Sequence, residues 1–228
     1  MRPRSSSRLS YTSCCQNSCN DRCHWACNAT VRLLWSGDVN TPFGVLPVVA
    51  TEFVEGISLA ERISAAPMTQ TEVAAMGRDV ASAINVMWAR RIVHRDLKPS
   101  NVMVAARHSC VIDLGLARHL DQSSLTALGA TWGTYGYLSP EQTRAVRQLT
   151  CKSDIFALGI LMVEALCGRH PSNGDQAQLL KLRLHERLPR RARAVDYSAL
   201  LAQLLHPRPT ARPMPNVVLE RLTACLTQ

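Results

Sequence analysis

Lysine is almost missing from this chain. Three occur in 228 residues (Lys98, Lys152 and Lys181) against 23 arginines. None precedes Lys98, and no glutamate precedes Glu52. The formal charge of +9 therefore rests on arginine. A basic surface can serve nucleic acid. Here aromatic residues make up only 5% of the chain and do not interleave with the arginines, which excludes the stacking platform of a single-strand binder. Only Arg187, Arg190, Arg191 and Arg193 cluster, so the arginines read as a solvated face and no nucleic-acid partner is expected.

Long apolar runs are missing too. A membrane-spanning helix needs ~18 or more apolar residues. The longest candidate, Ile155 to Cys167, is interrupted by Gly159 and Glu164. With no apolar leader either, a cytoplasmic location and reduced thiols are expected. Nine cysteines include no C-x-x-C pair, so the common zinc spacing is absent. Cys15, Cys19, Cys23 and Cys27 recur every four residues, which stacks them on one helix face. That is poor geometry for a four-thiolate metal site. Only Gly37 and Gly44 precede Gly56, so the first fifty residues hold no G-x-G-x-x-G. What remains is ordinary: 46% hydrophobic residues, enough to pack one domain.

Hydrophobic periodicity orders the rest. Val31–Trp35 reads as a short strand, Ser36–Pro42 as a turn-rich loop, and Leu46–Val54 as a second strand closed by Gly56. Leu59–Ala65 is a short helix. Thr69 or Thr71 can cap a longer one, with Val73, Met76, Val80, Ile84 and Met87 at helical spacing. Asn101–Val104 and Cys110–Leu114 are short apolar pieces flanking a turn, and Ala117–Ser139 is irregular. Helical patterns follow at Asp154–Cys167, Asp175–Leu188, Tyr197–Leu205 and Asn216–Leu226. A few strands followed mostly by helices predict an α+β fold with a large helical lobe.

Three motifs carry chemistry. The first is His94-Arg-Asp-Leu-Lys-Pro-Ser-Asn101. Twelve residues on comes Asp113-Leu-Gly115, and further on Gly133-Thr-Tyr-Gly-Tyr-Leu-Ser-Pro-Glu141. Phosphoryl transfer needs a nucleophile held in line and cations that neutralise phosphate charge. An aspartate and a lysine two residues apart, with amide and carboxylate oxygens suited to Mg²⁺, supply those parts.

In order and spacing the set resembles the eukaryotic-type (Hanks-type) serine/threonine protein kinase family, with bacterial members most similar. The resemblance implies a protein-kinase-like α+β fold: a mainly helical C-lobe with a remnant of the N-lobe sheet. It implies ATP and Mg²⁺ as cofactors and a protein substrate. It implies Asp96 as the base for the substrate hydroxyl, Lys98 beside the transferring phosphate, and Thr134 bonded to both. Asn101 and Asp113 are the implied metal ligands. Glu52, Val54 and Met103 are the implied adenine contacts, on the hinge and below it. Arg95 is implied to receive an activation-segment phosphate, with Thr126 and Thr131 as acceptors. His94, Glu141, Asp154 and Arg212 are implied scaffold residues. Leu114 stands where the family usually has Phe.

The family's strand lysine, its helix glutamate and its Gly-rich loop have no counterpart before Glu52. The expected layout is therefore residues 1–28 as a poorly ordered segment and 29–226 as a truncated kinase domain, with 29–54 the N-lobe remnant and hinge and 55–226 the C-lobe. An abrupt pattern near Val31 is what a frameshift or mis-called start would leave. Two functional classes stay open: a protein serine/threonine kinase, weak or inactive as this chain alone, or a non-catalytic pseudokinase that binds a partner protein.

Overall fold

A computed structural model describes residues 30–113, 118–119, 133–146 and 148–227. Among these residues the order is β1 (Leu33–Thr41), β2 (Gly44–Thr51), β3 (Ile57–Ser58), α1 (Leu59–Ala65), α2 (Gln70–Ala89), β4 (Ile92–Val93), β5 (Val102–Val104), β6 (Ser109–Val111) and β7 (Arg118–His119). Then come α3 (Pro140–Thr143), α4 (Cys151–Cys167), α5 (Gln176–Lys181), α6 (Arg190–Arg193), α7 (Ser198–Leu204) and α8 (Pro215–Leu226). This is the expected α+β arrangement: short strands first, then a helical lobe.

Helix α4 is the axis of the lobe. Every residue from Cys151 to Leu166 except Lys152 is buried, as befits a helix apolar on all sides. Each fully buried Leu or Ile contributes roughly 1.5–3 kcal/mol. The helix stops at Gly168, which takes the left-handed conformation at φ +71 and donates to the Glu164 carbonyl. Helix α2 packs against α4 and α8. Its apolar face is the predicted one (Val73, Met76, Val80, Ile84 and Met87), and Thr69 is its cap. Tyr197, Leu200, Leu201 and Leu204, from α7 and its start, complete the same core.

Among the described residues the strands form three small sheets. Strands β3, β5 and β6 form one antiparallel sheet, with Ser58 opposite Met103 and Met103 opposite Cys110. Thr30 adds a parallel bridge to Val111, and Val31 N–H donates to the Val111 carbonyl at 3.1 Å. Strand β4 pairs with β7. Strands β1 and β2 form a separate antiparallel hairpin, with Trp35 opposite Ala50 and Val39 opposite Leu46.

The structure corrects several boundaries. Ser36–Thr41 is strand, not loop, because cross-strand pairing with Gly44–Val49 absorbs its backbone groups. The turn shrinks to Pro42–Phe43, with Gly44 at φ +117 and Thr41 Oγ1 accepting from Phe43 N–H. Strand β2 ends at Thr51 rather than Val54. Past it, Glu52 N–H still reaches the Arg32 carbonyl at 2.9 Å. Helix α4 begins at Cys151, three residues early, because Thr150 accepts from Lys152 N–H. The helix expected over Asp175–Leu188 stops at Lys181, since Arg183 turns to φ +43. Leu184 and Leu188 still reach the core from the irregular chain that follows.

Candidate active site

The loop after β4 is fixed from beneath by α4. Both Asp154 carboxylate oxygens accept backbone N–H groups, from His94 and Arg95, each at 2.9 Å. Burial pushes the Asp154 carboxyl upward, while the adjacent His94 and these two N–H donors pull the other way. His94 is fully buried; its Nδ1 accepts from Asp96 N–H at 3.3 Å, and its Nε2 lies 3.4 Å from the Ile112 carbonyl. Arg95 holds φ +71, a left-handed turn immediately before Asp96.

Asp96, Lys98 and Thr134 form a closed triangle. Asp96 Oδ1 accepts from both Thr134 N–H and Thr134 Oγ1, each at 2.7 Å. Asp96 Oδ2 pairs with Lys98 Nζ at 2.9 Å, and Lys98 Nζ donates to Thr134 Oγ1 at 2.9 Å. Burial works against ionisation of Asp96, but the Thr134 and Lys98 hydrogen bonds and the Lys98 charge outweigh it and hold the carboxyl below its ordinary range. The group is thus an ionised carboxylate at neutral pH, able to accept a proton.

Thr134 reaches this position because Gly133 makes a turn no other residue takes easily. Gly133 sits at φ +125, and a Cβ there would stand 2.5 Å from Leu138 Cδ2 and 2.9 Å from the Arg95 carbonyl oxygen. Gln142 locks the same junction, donating from Nε2 to the Arg95 carbonyl at 2.8 Å.

Asn101 and Asp113 stand at neighbouring strand ends. Asn101 Nδ2 donates to the Asp96 carbonyl at 2.9 Å, leaving Oδ1 as the amide atom available to a ligand. Ile112 N–H donates to the Asn101 carbonyl at 2.9 Å, which brings Asp113 alongside; Asp113 is exposed, at φ +59. One amide oxygen and one carboxylate fit Mg²⁺, which takes one or two protein ligands and fills its shell with water and phosphate oxygens. Among the described residues no group of three His, Cys, Asp or Glu side chains forms a fuller metal cage. Met103 lies on β5 opposite Ser58, and Glu52 and Val54 lie on the chain between β2 and β3, all three half-buried. Glu52 is engaged by Arg32, whose backbone N–H donates to it at 2.8 Å.

A buried ion pair holds the end of the Gly133–Glu141 motif. Arg212 donates from Nη1 to Glu141 Oε1 at 2.7 Å and from Nη2 to Oε2 at 2.9 Å. It also donates to the carbonyls of His206, Lys152 and Pro207, and its guanidinium lies 4.9 Å from the Phe156 ring centroid. The sequence drew attention to this pair but not to a second support. Tyr137 Oη donates to Glu164 Oε2 at 2.8 Å. His170 and Gln176 bond the backbone of Gly136 and Leu138. These contacts join residues 27–40 apart in sequence, and no local pattern announces them. Leu114, Gly115, Thr126 and Thr131 lie outside the described residues.

The family profile for the protein kinase domain matches residues 46–222, more than half of the chain. The chain belongs to the protein kinase family. Among its curated relatives are serine/threonine-protein kinases of bacteria. This kinase chain is 36% identical over 151 residues to serine/threonine-protein kinase PknB of Mycobacterium tuberculosis (strain ATCC 25618 / H37Rv), covering 64% of the chain and 24% of that protein. It is 38% identical over 137 residues to a probable PknB of Lactococcus lactis, covering 59% of the chain and 22% of that protein. It is 38% identical over 134 residues to the kinase AfsK of Streptomyces coelicolor, covering 58% and 17%. The kinase chain thus spans less than a quarter of the length of these relatives. No helix among its described residues is long and apolar enough to cross a membrane.

Proposed function

We propose that this chain carries the acceptor side of an ATP-dependent protein serine/threonine kinase. The observation that supports the reading is the closed Asp96–Lys98–Thr134 triangle. In this reading Asp96 accepts the proton of a substrate Ser or Thr hydroxyl as its oxygen bonds to the γ-phosphorus. The bond from that phosphorus to the β–γ bridging oxygen breaks, and ADP leaves. Lys98 offsets the charge on the transferring group. Thr134 keeps Asp96 and Lys98 in register. Asn101 and Asp113 hold Mg²⁺, which when bound neutralises phosphate charge. Glu52, Val54 and Met103 receive the adenine.

The chain alone is expected to transfer phosphate weakly or not at all. It has no lysine before Lys98 to grip the α- and β-phosphates. Losing one such charge contact costs about 10²–10³ in rate. That same observation favours the second reading, a non-catalytic module that binds a partner protein.

Thermal melts of the full chain separate the two. In the kinase reading, ATP with Mg²⁺ raises the midpoint, neither does so alone, and Asp113→Asn removes the shift. A flat response to nucleotide and metal together rejects that reading in favour of the binding module. Transfer of labelled γ-phosphate to a basic protein substrate should stay at the level of Asp96→Asn. Transfer well above it overturns the expectation of weak activity.

A further inference from the structure

Segment 134–138 carries Thr134, the residue that joins Asp96 to Lys98, yet it is neither helix nor strand. Something else must fix it. Its own internal bond is a turn, Tyr137 N–H to the Thr134 carbonyl at 3.2 Å. Its outer face is open, with Tyr135 69% exposed. The N–H and C=O groups of Gly136 and Leu138 are taken by two side chains, one from the stretch that joins α4 to α5 and one from the first residue of α5.

Gln176 is one of them. Its Oε1 accepts from Gly136 N–H at 2.9 Å and from Leu138 N–H at 3.2 Å, and its Nε2 donates to the Leu138 carbonyl at 2.8 Å. A single buried amide therefore satisfies three backbone groups, each of which would cost free energy if left unpaired away from water. His170 is the other. Its Nε2 lies 2.9 Å from the Gly136 carbonyl. Its Nδ1 lies 3.1 Å from Ser172 N–H, 2.9 Å from Gly174 N–H and 3.2 Å from Ser172 Oγ. Two N–H donors on Nδ1 leave it no proton of its own, so the ring is the Nε2–H tautomer and donates to Gly136. Burial lowers the His170 pKa and keeps the ring neutral, against the opposing pull of the Gly136 carbonyl. The two stretches touch directly: a Cβ on Gly136 would stand 3.0 Å from Gly174 Cα. Tyr137 closes the side, its ring edge-on to His170 at 5.0 Å between centroids.

We propose that His170 and Gln176 are positioning residues, which hold segment 134–138 by its backbone and, through Thr134, keep the Asp96–Lys98 pair set for an acceptor hydroxyl. The proposal rests on the kinase reading for its purpose and on hydrogen bonds for its geometry. Because the grip is on N–H and C=O groups, it leaves the exposed Tyr135 side chain open to face a polypeptide acceptor.

The test uses the full chain, ¹⁵N-labelled, without nucleotide. The ring nitrogens of His170 should report one fixed tautomer at neutral pH, protonated at Nε2. A ring that exchanges between tautomers, or carries its proton on Nδ1, overturns the proposal before any mutation is made. Amide exchange then resolves the two jobs of His170. In His170→Asn the amide oxygen stands near the place of Nδ1, so it keeps an acceptor for Ser172 and Gly174 but no longer reaches Gly136. In His170→Gln the reach to Gly136 is kept. Exchange at Thr134, Gly136 and Leu138 should rise about tenfold in the Asn variant and return toward the parent in the Gln variant, the scale of one lost hydrogen bond. Gln176→Glu keeps Oε1 but not the Nε2 donor, and should loosen Leu138 more than Gly136. Exchange in α4 serves as the control for global folding. Unchanged exchange at the three amides in His170→Asn, or equal loosening in His170→Gln, overturns the proposal. None of these readings needs turnover. A chain that passes them but shows no response to ATP and Mg²⁺ loses the kinase reading and keeps the clamp.

Discussion

Glu141 and Arg212 show how much a single residue can hold. Arg212 is 2% exposed and all its guanidinium nitrogens are satisfied, by a bidentate carboxylate and three carbonyls. Ser153 Oγ donates to Glu141 Oε1 at 2.9 Å as well. Removing one member of such a pair leaves the other buried and unmatched, which costs about 3–5 kcal/mol. Glu141→Ala should therefore lower the unfolding free energy by about that amount in urea titrations. The double variant Glu141→Ala/Arg212→Met should lose less than the two single variants together. Burial alone would raise the Glu141 carboxyl, but Arg212 outweighs it and holds the folded-state value below the ordinary range. The pair's contribution is thus present above the ordinary carboxylate range. It fades as pH falls through the lower folded value. Asp154 has the opposite sign: its carboxyl is raised by burial, so its share of stability declines as pH rises through the acid range.

At the scale of an element, the start of α2 is a sequence device doing a tertiary job. Thr69 and Glu72 form a reciprocal capping box: Glu72 Oε2 accepts from Thr69 N–H at 2.7 Å, and Thr69 Oγ1 accepts from Glu72 N–H at 3.2 Å. Arg62, at the end of α1, donates to Glu72 Oε1 at 2.8 Å and ties the two helices together. The Thr69 N–H bond first, then Arg62, pulls the Glu72 carboxyl down to about 2. The sign follows from a depressed folded value: stability is present above the ordinary carboxylate range near 4.5 and is lost as pH falls toward 2. Glu72→Gln should flatten the chain's thermal midpoint across that window, measured by melts from pH 5 to pH 2. Thr69→Ala should cost about 1 kcal/mol at neutral pH, the usual worth of a cap, and should weaken the pH dependence too, because Thr69 Oγ1 donates to Glu72 Oε2 at 2.8 Å.

Across the whole molecule, apolar exposure is concentrated in one place. The β1–β2 hairpin carries Leu33, Trp35, Val39, Leu46 and Val48 exposed, and the register puts Trp35, Val39, Leu46 and Val48 on one face. A two-stranded sheet is marginal alone, and an apolar face beside open edges promotes association. Val39 and Val48 both belong to that face, so charging them breaks up its apolar surface. Val39→Lys with Val48→Lys should reduce concentration-dependent light scattering and leave the thermal midpoint of the helical lobe unchanged. Scattering that persists would place the adhesive surface elsewhere.

What the sequence determined by itself is what depends on near neighbours in the chain. The periodicity of Val73, Met76, Val80, Ile84 and Met87 defined α2 and narrowed its cap to Thr69 or Thr71, of which the fold uses Thr69. The run from Ile155 to Leu166 could only be a buried helix. The spacing of Asp96, Lys98, Asn101, Asp113 and Thr134 named the candidate chemistry, because that combination of acid, cation and oxygen donors is rare. Tertiary structure decided the rest. Ser36–Thr41 reads as loop by composition, and only the partner strand at Gly44–Val49 makes it β. The resemblance marks Asp154 as a scaffold residue, and folding brings its two oxygens onto the His94 and Arg95 amides, 60 and 59 residues away in sequence. Glu164, His170 and Gln176 carried no signal at all, and Tyr137, though inside the Gly133–Glu141 motif, gave none of its partner. Their partners are backbone groups or side chains brought near only by folding, and a side chain that bonds a distant backbone leaves no periodic or spacing trace in sequence.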